Sequence, residues 1–445
     1  MASRSQSGRG RTRPPHPLVV SLGRERNPIR RLFRLLGPGF ITGASDDDPS
    51  GIGTYASAGA AFGYGLLWTA VLTFPLMTVV QYICAKIGLV TGKGLAGILR
   101  ERAPRWVLYV TVTALFAANT INVGADLGAI AASINLLVPA IPAPPLVVPI
   151  ALAILVLQVF ASYAVIARVF QWLGLALVGY VGAALLARPD VGQVIAGTLV
   201  PHLSLDAGFL AALVAILGTT ISPYLFFWQA SHEVEDEKSV GRTRLWQRRG
   251  ATDKELRYAG ADVTAGMLFS NVVMYFVILA TGATLHAAGT TTIGSATDAA
   301  RALQPLAGDL ASALLAIGLI GGGVLAVPVL SGSAAYALAE ALGWRSGLDE
   351  RPGRAREFYL VIAIATIIGA AIPLMGINAI QALVVTAVIN GLVAPPVLAL
   401  IMAISDDRRV MGDRVNGRAT RLIGWLTVAI LGLAAIALIV TTVAG

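Results

Sequence analysis

The sequence predicts an all-α, polytopic membrane protein of about eleven transmembrane helices, arranged as two inverted five-helix repeats with breaks in helices 1 and 6 and one extra helix at the end. Three observations predict it. The first is composition: of 445 residues, 56% are hydrophobic and 13% charged, with a mean hydropathy of +0.75, whereas a soluble domain is about a quarter charged. The second is a series of apolar runs, each near the roughly 20 residues a helix needs to cross about 30 Å of hydrocarbon. The third is a pair of polar, proline-bearing interruptions at corresponding places in the two halves, the pattern of transporters that bind their cargo at mid-membrane.

In chain order, residues 1–33 are rich in Arg, Ser, Gly and Pro and read as a disordered basic cytoplasmic tail. Within the tail, Ile29-Arg30-Arg31-Leu32-Phe33 is similar to a twin-arginine export signal, but no cleavage site follows and ten more spans do, so it reads as an anchor. The spans fall at 34–61, 65–90, 106–136, 146–166 and 169–187, which form the first repeat (34–187). The second repeat (208–404) holds 208–231, 262–285, 309–340, 357–374 and 378–404, and 421–443 is the additional helix.

The charge of +9 raises the question of nucleic acid, and placement answers it. With a cytoplasmic N-terminus, 31 of the 33 Lys and Arg residues fall in inner segments and only Arg188 and Arg301 fall outside. That is the positive-inside pattern. The reading is a multi-pass cell-membrane protein in the lipid bilayer, with its C-terminus outside if there are eleven helices, no nucleic-acid partner and no obligate protein partner evident. Cys84, the single cysteine, lies among apolar neighbours and reads as an inert buried thiol. No nucleophile–base pair or His-rich zinc motif suggests an enzyme, and His16, His202, His232 and His286 are scattered.

The first span carries GASDDDPSGIGTY, Gly43 to Tyr55. An aspartate at the bilayer centre costs about 2.5–3.5 kcal/mol on the insertion scale, so Asp46, Asp47 and Asp48 must face water, a cation or protein donors. Pro49 lacks an amide donor, and Ser50-Gly51-Ile52-Gly53 resists unwinding poorly. Two half-helices with a break near residues 46–51 follow. The alternative, acids solvated at the outer end of a short helix, is opposed by length, because Leu35 to Ser45 spans only about 16 Å. A break exposes carbonyl oxygens, and carbonyls beside carboxylates make a cation site.

The sixth span, Leu217 to Glu233, reads LGTTISPYLFFWQASHE. Ser222-Pro223 stands where the first span has Asp48-Pro49, with Gly218 and Gly43 upstream and Ala230-Ser231 and Ala56-Ser57 downstream. This is the second break.

The run GPGFITGASDDDPSGIGTYASAGAAFGYGLLW, Gly37 to Trp68, resembles the first two helices of the Nramp family of divalent metal transporters, whose hallmark is Asp-Pro-Gly-Asn. The resemblance continues through Gly218-Thr219-Thr220-Ile221-Ser222-Pro223-Tyr224 and covers nearly the whole chain. It implies the LeuT-like architecture and a divalent cation as transported substrate, with no cofactor. The family's ligands, carried over, fall on Asp48, the carbonyl of Ser45, Gly51 in place of an Asn, the carbonyl of Thr219, and Ser222 in place of a Met. None of the seven methionines lies in the sixth span. Thioethers select softer metals, whereas carboxylate, carbonyl and water suit Mg²⁺. With Asp46 or Asp47 nearby and the hydroxyls of Thr219, Thr220 and Ser222, the set looks like the Nramp-related magnesium transporter branch, with Mn²⁺ as a further cargo.

A sixth-helix His of the family is Tyr224 here, and an acid three residues beyond Asp126 is Ala129. Asp126 is kept. These departures from the family pattern imply uncoupled or weakly proton-coupled movement, with uptake driven by a membrane potential contributing about 4.6 kcal/mol per 100 mV for a divalent ion. Asp126, Asn119 and Asn122 are at roughly helical spacing, as residues lining a vestibule would be, but Asn119 and Asn122 read first as interhelical glue; Asn390 either approaches the site or only packs its irregular helix. Glu233, Glu235, Asp236 and Glu237 read as a solvated helix end, and Gly321-Gly322-Gly323 as a close packing surface. An amino-acid permease of the same architecture is the rival reading, opposed by three negative charges where a substrate carboxylate would sit; a membrane enzyme and a non-transporting sensor are weaker ones.

Overall fold

The computed structural model describes residues 37–160, 179–294, 296–301, 308 and 311–444. The basic tail, the Ile29–Phe33 segment and Arg168 lie outside the described residues. Proline and a short polar residue set the two interruptions. Helix α1 (Pro38–Asp46) stops at the aspartates, and α2 (Pro49–Phe62) restarts with Pro49 in its first turn and Asp48 as N-cap. The Asp48 carboxylate accepts from the Gly51 amide at 2.6 Å, satisfying one of the amide donors a helix start leaves open.

The chain continues through α3 (Trp68–Thr91), α4 (Leu95–Arg102), α5 (Arg105–Leu137), α6 (Ala143–Phe160), α7 (Gly179–Leu186) and α8 (Val191–Leu199). The second interruption separates α9 (Ala207–Thr220) from α10 (Pro223–Ser239). There follow α11 (Leu245–Arg248), α12 (Asp253–Thr281), α13 (Ala296–Arg301), α14 (Ala311–Leu342), α15 (Arg356–Leu374), α16 (Ala379–Asp406), α17 (Arg408–Met411) and α18 (Arg418–Ala444).

Among the described residues, nine spans are long and apolar enough to cross a membrane, with the interrupted pair α9 and α10 counted together as one. Of the two further predicted spans, the first is split into α1 and α2, and the fifth begins outside the described residues, leaving α7 as its described end. The predicted end of the fourth span and start of the eighth lie outside the described residues; among the described boundaries the seventh shifts most, α12 beginning at Asp253 rather than near 262, because Thr252 and Glu255 form a reciprocal capping box.

Backbone contact fixes both broken helices. A Cβ on Gly43 would lie 2.3 Å from the Gly266 carbonyl on α12, and one on Gly218 would lie 2.2 Å from the Gly391 amide on α16. Only glycine fits such close crossings. The start of α1 is held by Asp262 of α12, whose carboxylate accepts from the amides of Gly37 (2.8 Å), Gly39 (2.7 Å) and Phe40 (3.1 Å). A carboxylate at a helix N-terminus meets both open amides and the positive end of the dipole. On the same half-helix, Thr42 donates to Gln229 at 2.5 Å, and Gln229 donates to Glu233 at 2.9 Å, joining α1 to α10.

Helix α14 packs along α5. Asn119 donates to the Leu330 carbonyl at 2.9 Å, as interhelical glue should. The triple glycine also packs as expected, since a Cβ on Gly322 would lie 2.8 Å from the Asp47 carbonyl.

The solvated reading of the acids on α10 is overturned. Glu233, Glu235 and Glu237 are all buried, because the helix continues to Ser239 and partners gather around it. Arg242 donates to Glu237 at 2.5 and 2.7 Å and to Glu255 at 3.2 Å, and Lys238 donates to Glu235 at 2.6 Å.

Candidate functional site

The three aspartates lie in the break between α1 and α2, and all are buried, with exposures of 0, 1 and 1%. They divide between two sides. Asp48 turns to α5 and α10: its second oxygen, Oδ2, accepts from Asn122 Nδ2 at 3.3 Å and from the Tyr224 hydroxyl at 3.3 Å. Asp46 turns to α12, where its carboxylate accepts from the Ser270 hydroxyl at 2.6 Å. Asp47 has neither oxygen hydrogen-bonded.

The Tyr224 hydroxyl also lies 3.2 Å from the Ser45 carbonyl. One phenol proton thus faces two oxygens, the Ser45 carbonyl and Asp48 Oδ2. The end of α1 frees that carbonyl from helical bonding, and the N-cap position of Asp48 turns its side chain back toward it. Gly51 lies beside these atoms: a Cβ there would meet the Asp46 carbonyl at 3.0 Å and the Thr219 hydroxyl at 3.4 Å. Residues Ser45, Asp48, Gly51 and Thr219 are therefore brought together, with Tyr224 against them.

The second break is more self-contained. The Ser222 hydroxyl makes no cap to α10; it turns back and lies 2.5 Å from the Gly218 carbonyl and 2.8 Å from the Thr219 carbonyl. Thr220 likewise donates within its own helix, to Ile216 at 2.8 Å. Ser222 is thus beside the Thr219 carbonyl with lone pairs to offer, while Thr220 is turned away from the break.

Asp126 is fully buried and neither of its oxygens is hydrogen-bonded. It lies one helical turn beyond Asn122 on α5 and within electrostatic reach of Asp48. Asn390 is 2% exposed with an unpartnered carboxamide oxygen, on α16 next to the Gly391 that meets Gly218.

Asn122 forms an interhelical bond whose acceptor is Asp48 itself, so glue and site coincide there. Ser270, Tyr55 and Asp262 were not singled out from the sequence. A serine, a tyrosine and an aspartate on long apolar helices carry no local signature, and what marks them is the segment they face.

Among the described residues, no group of three or more His, Cys, Asp or Glu side chains is arranged to hold a metal. A cation here would take one or two carboxylates, with carbonyls, hydroxyls and water completing its shell. Such donors suit hard cations.

The family profile "Nramp: Natural resistance-associated macrophage protein-like" matches residues 39–441. The chain is 28% identical over 418 residues to the divalent metal cation transporter MntH of Yersinia enterocolitica, covering 91% of this chain and 94% of that one. It is 27% identical over 413 residues to the MntH of Aeromonas hydrophila, covering 91% and 95%. A crystal structure of a manganese transporter variant from Eremococcus coleocola superposes with a TM-score of 0.70 at 20% identity, covering 91% of this chain and 86% of that one. Mhp1, a nucleobase-cation-symport-1 family transporter in a closed conformation, superposes with a TM-score of 0.58 at 13% identity, covering 92% and 90%. These two likenesses are of fold.

Proposed function

The chain belongs to the Nramp family, and from that membership and the geometry of the first break we propose that it carries divalent metal cations across the membrane by alternating access. Mg²⁺ is the favoured cargo and Mn²⁺ a second. The observation that carries this reading is the convergence of the Ser45 carbonyl and Asp48 Oδ2 on one hydroxyl, at 3.2 and 3.3 Å. Two oxygens facing one donor can face one cation when the donor moves.

The proposed ligands are Asp48, the carbonyls of Ser45 and Thr219, and Ser222, with Gly51 leaving room for water. Asn122 and Tyr224 orient the Asp48 carboxylate, and Asp126 and Asn390 line the approach. All are hard oxygen donors, and Mg²⁺ keeps several waters and binds few carboxylates. The MntH relatives are divalent metal cation transporters, which supports a divalent metal as the cargo. An amino-acid substrate is disfavoured, since its carboxylate would meet three acids where half-helix N-termini would have to receive it.

Transport runs uncoupled from protons in this reading, with Tyr224 and Ala129 at positions where the family holds titratable groups. The test is flux in proteoliposomes, comparing Mg²⁺, Mn²⁺ and Ca²⁺ at fixed membrane potential, with a pH reporter in the lumen. Saturable Mg²⁺ and Mn²⁺ uptake is expected. No divalent flux above that of protein-free liposomes would reject the reading.

A further inference from the structure

The break between α1 and α2 has a second polar side that the site around Asp48 does not use. Asp46 and Asp47 lie there against α12. One Asp46 oxygen accepts from Ser270 at 2.6 Å; the other is buried without a partner, as are both oxygens of Asp47. The Asp47 carboxyl lies within electrostatic reach of Asp46 and Ser270, and the Ser270 proton goes to Asp46. Three of these four carboxylate oxygens are thus buried and unbonded.

A separate buried group lies close by. The Tyr55 hydroxyl, on α2, is fully buried, makes no hydrogen bond, and lies within electrostatic reach of all three aspartates. Its ring lies beside the space a Gly51 side chain would fill, next to the Asp46 carbonyl and the Thr219 hydroxyl. Among the described residues, none of the three carboxylates pairs with a lysine or arginine. Buried carboxylates bearing neither counter-charge nor full hydrogen bonding are strongly unfavourable. A cation supplies both needs at once.

We propose that Asp46, Asp47 and Ser270, with the Tyr55 hydroxyl beside them, form a second site for a hard divalent cation, next to the one centred on Asp48. The proposal rests on the divalent-cation reading above and adds to it a count: the loaded protein holds two ions. Asp48 is turned away toward Asn122 and Tyr224, so the two positions use different carboxylates. An ion on the α12 side lowers the electrostatic attraction of the break for the ion at Asp48. Release, which a single deep site would slow, is thereby eased.

The experiment is equilibrium binding of Mn²⁺ to the purified full chain, with electron paramagnetic resonance reading both the bound count and the line broadening that two neighbouring Mn²⁺ ions cause. Two Mn²⁺ per chain with broadening are expected for the wild type, and one without broadening for Asp46→Asn/Asp47→Asn. Ser270→Ala keeps both carboxylates and guards against misfolding of the double variant; its second ion should bind roughly tenfold more weakly. One Mn²⁺ per chain in the wild type, or an unchanged second ion in both folded variants, overturns the second site and leaves the Asp48 reading standing. No bound Mn²⁺ in the wild type overturns both.

Discussion

Asp262 holds Gly39 by its backbone: a carboxylate oxygen of the first lies 2.7 Å from the amide nitrogen of the second, and its neighbours Gly37 and Phe40 complete the clasp. The half-helix that ends in the three aspartates is anchored at its far end by one side chain of α12. Asp262→Ala should therefore free α1 without touching the ion. Losing such a cap costs about 0.5–2 kcal/mol. Hydrogen exchange at residues 37–42 should quicken while that of α16 stays unchanged; equal protection of α1 in the variant would remove the anchoring role.

Asp48→Ala should abolish flux and leave folded protein, since Asp48 is the carboxylate that faces the Ser45 carbonyl, Asn122 and Tyr224. Asp46→Asn and Asp47→Asn, each alone, should slow transport less, because both lie on the α12 side. Proteoliposome uptake of Mg²⁺ decides the ranking. Wild-type flux in Asp48→Ala would move the site elsewhere.

Gly51→Asn together with Ser222→Met should shift preference toward softer metals. The pair supplies an amide oxygen and a thioether and shrinks the room for a hydrated ion, so Mg²⁺ uptake should fall and Cd²⁺ competition rise. The structure adds a cost. A Cβ at 51 lies 3.0 Å from the Asp46 carbonyl, and Ser222→Met removes the hydroxyl serving two carbonyls, worth about 1–3 kcal/mol if they stay buried. Thermal stability should be measured first. An unchanged Mg²⁺ to Cd²⁺ preference in folded double variant would place both residues away from the ion.

Dissipating the pH gradient at fixed membrane potential should change Mg²⁺ uptake little. Metal-driven acidification of the liposome lumen would instead assign proton carriage to a residue such as Asp126, whose carboxyl is buried without a hydrogen bond.

Gly218→Leu should destabilise the protein by more than the roughly 1–3 kcal/mol usual for overpacking. Its Cβ alone would lie 2.2 Å from the Gly391 amide and 2.3 Å from the Ala387 carbonyl, backbone that no rotamer change can move. A melting temperature within a degree of wild type would mean that α9 and α16 can part cheaply.

The two breaks were legible because proline and consecutive acids violate what a membrane helix tolerates, and a violation is visible locally. The apolar spans were legible from length alone. What lay hidden were partners from distant helices. Ser270 and Asp262 are separated from the residues they hold by more than two hundred positions, and nothing in their immediate neighbourhood differs from ordinary helix. The acids of α10 misled for the opposite reason: a cluster of charge looks solvated until Arg242 and Lys238 fold back on it. Asn122 was visible by spacing, and its role turned on which helix α5 faces at that level.

The Ser222 hydroxyl closes the carbonyls of its own break, whereas Asp47 leaves both oxygens of the other break unanswered. The site is thus built like a vice with one finished jaw and one waiting jaw. Cargo arrival should stiffen the two unequally: segment 45–51 should gain the larger protection from hydrogen exchange when Mg²⁺ is added, and segment 218–223, which supplies the Thr219 carbonyl and Ser222 but is already tied by its own hydroxyl, the smaller. The second broken helix would then serve as the fixed reference, and the first as the part that reports whether an ion is aboard.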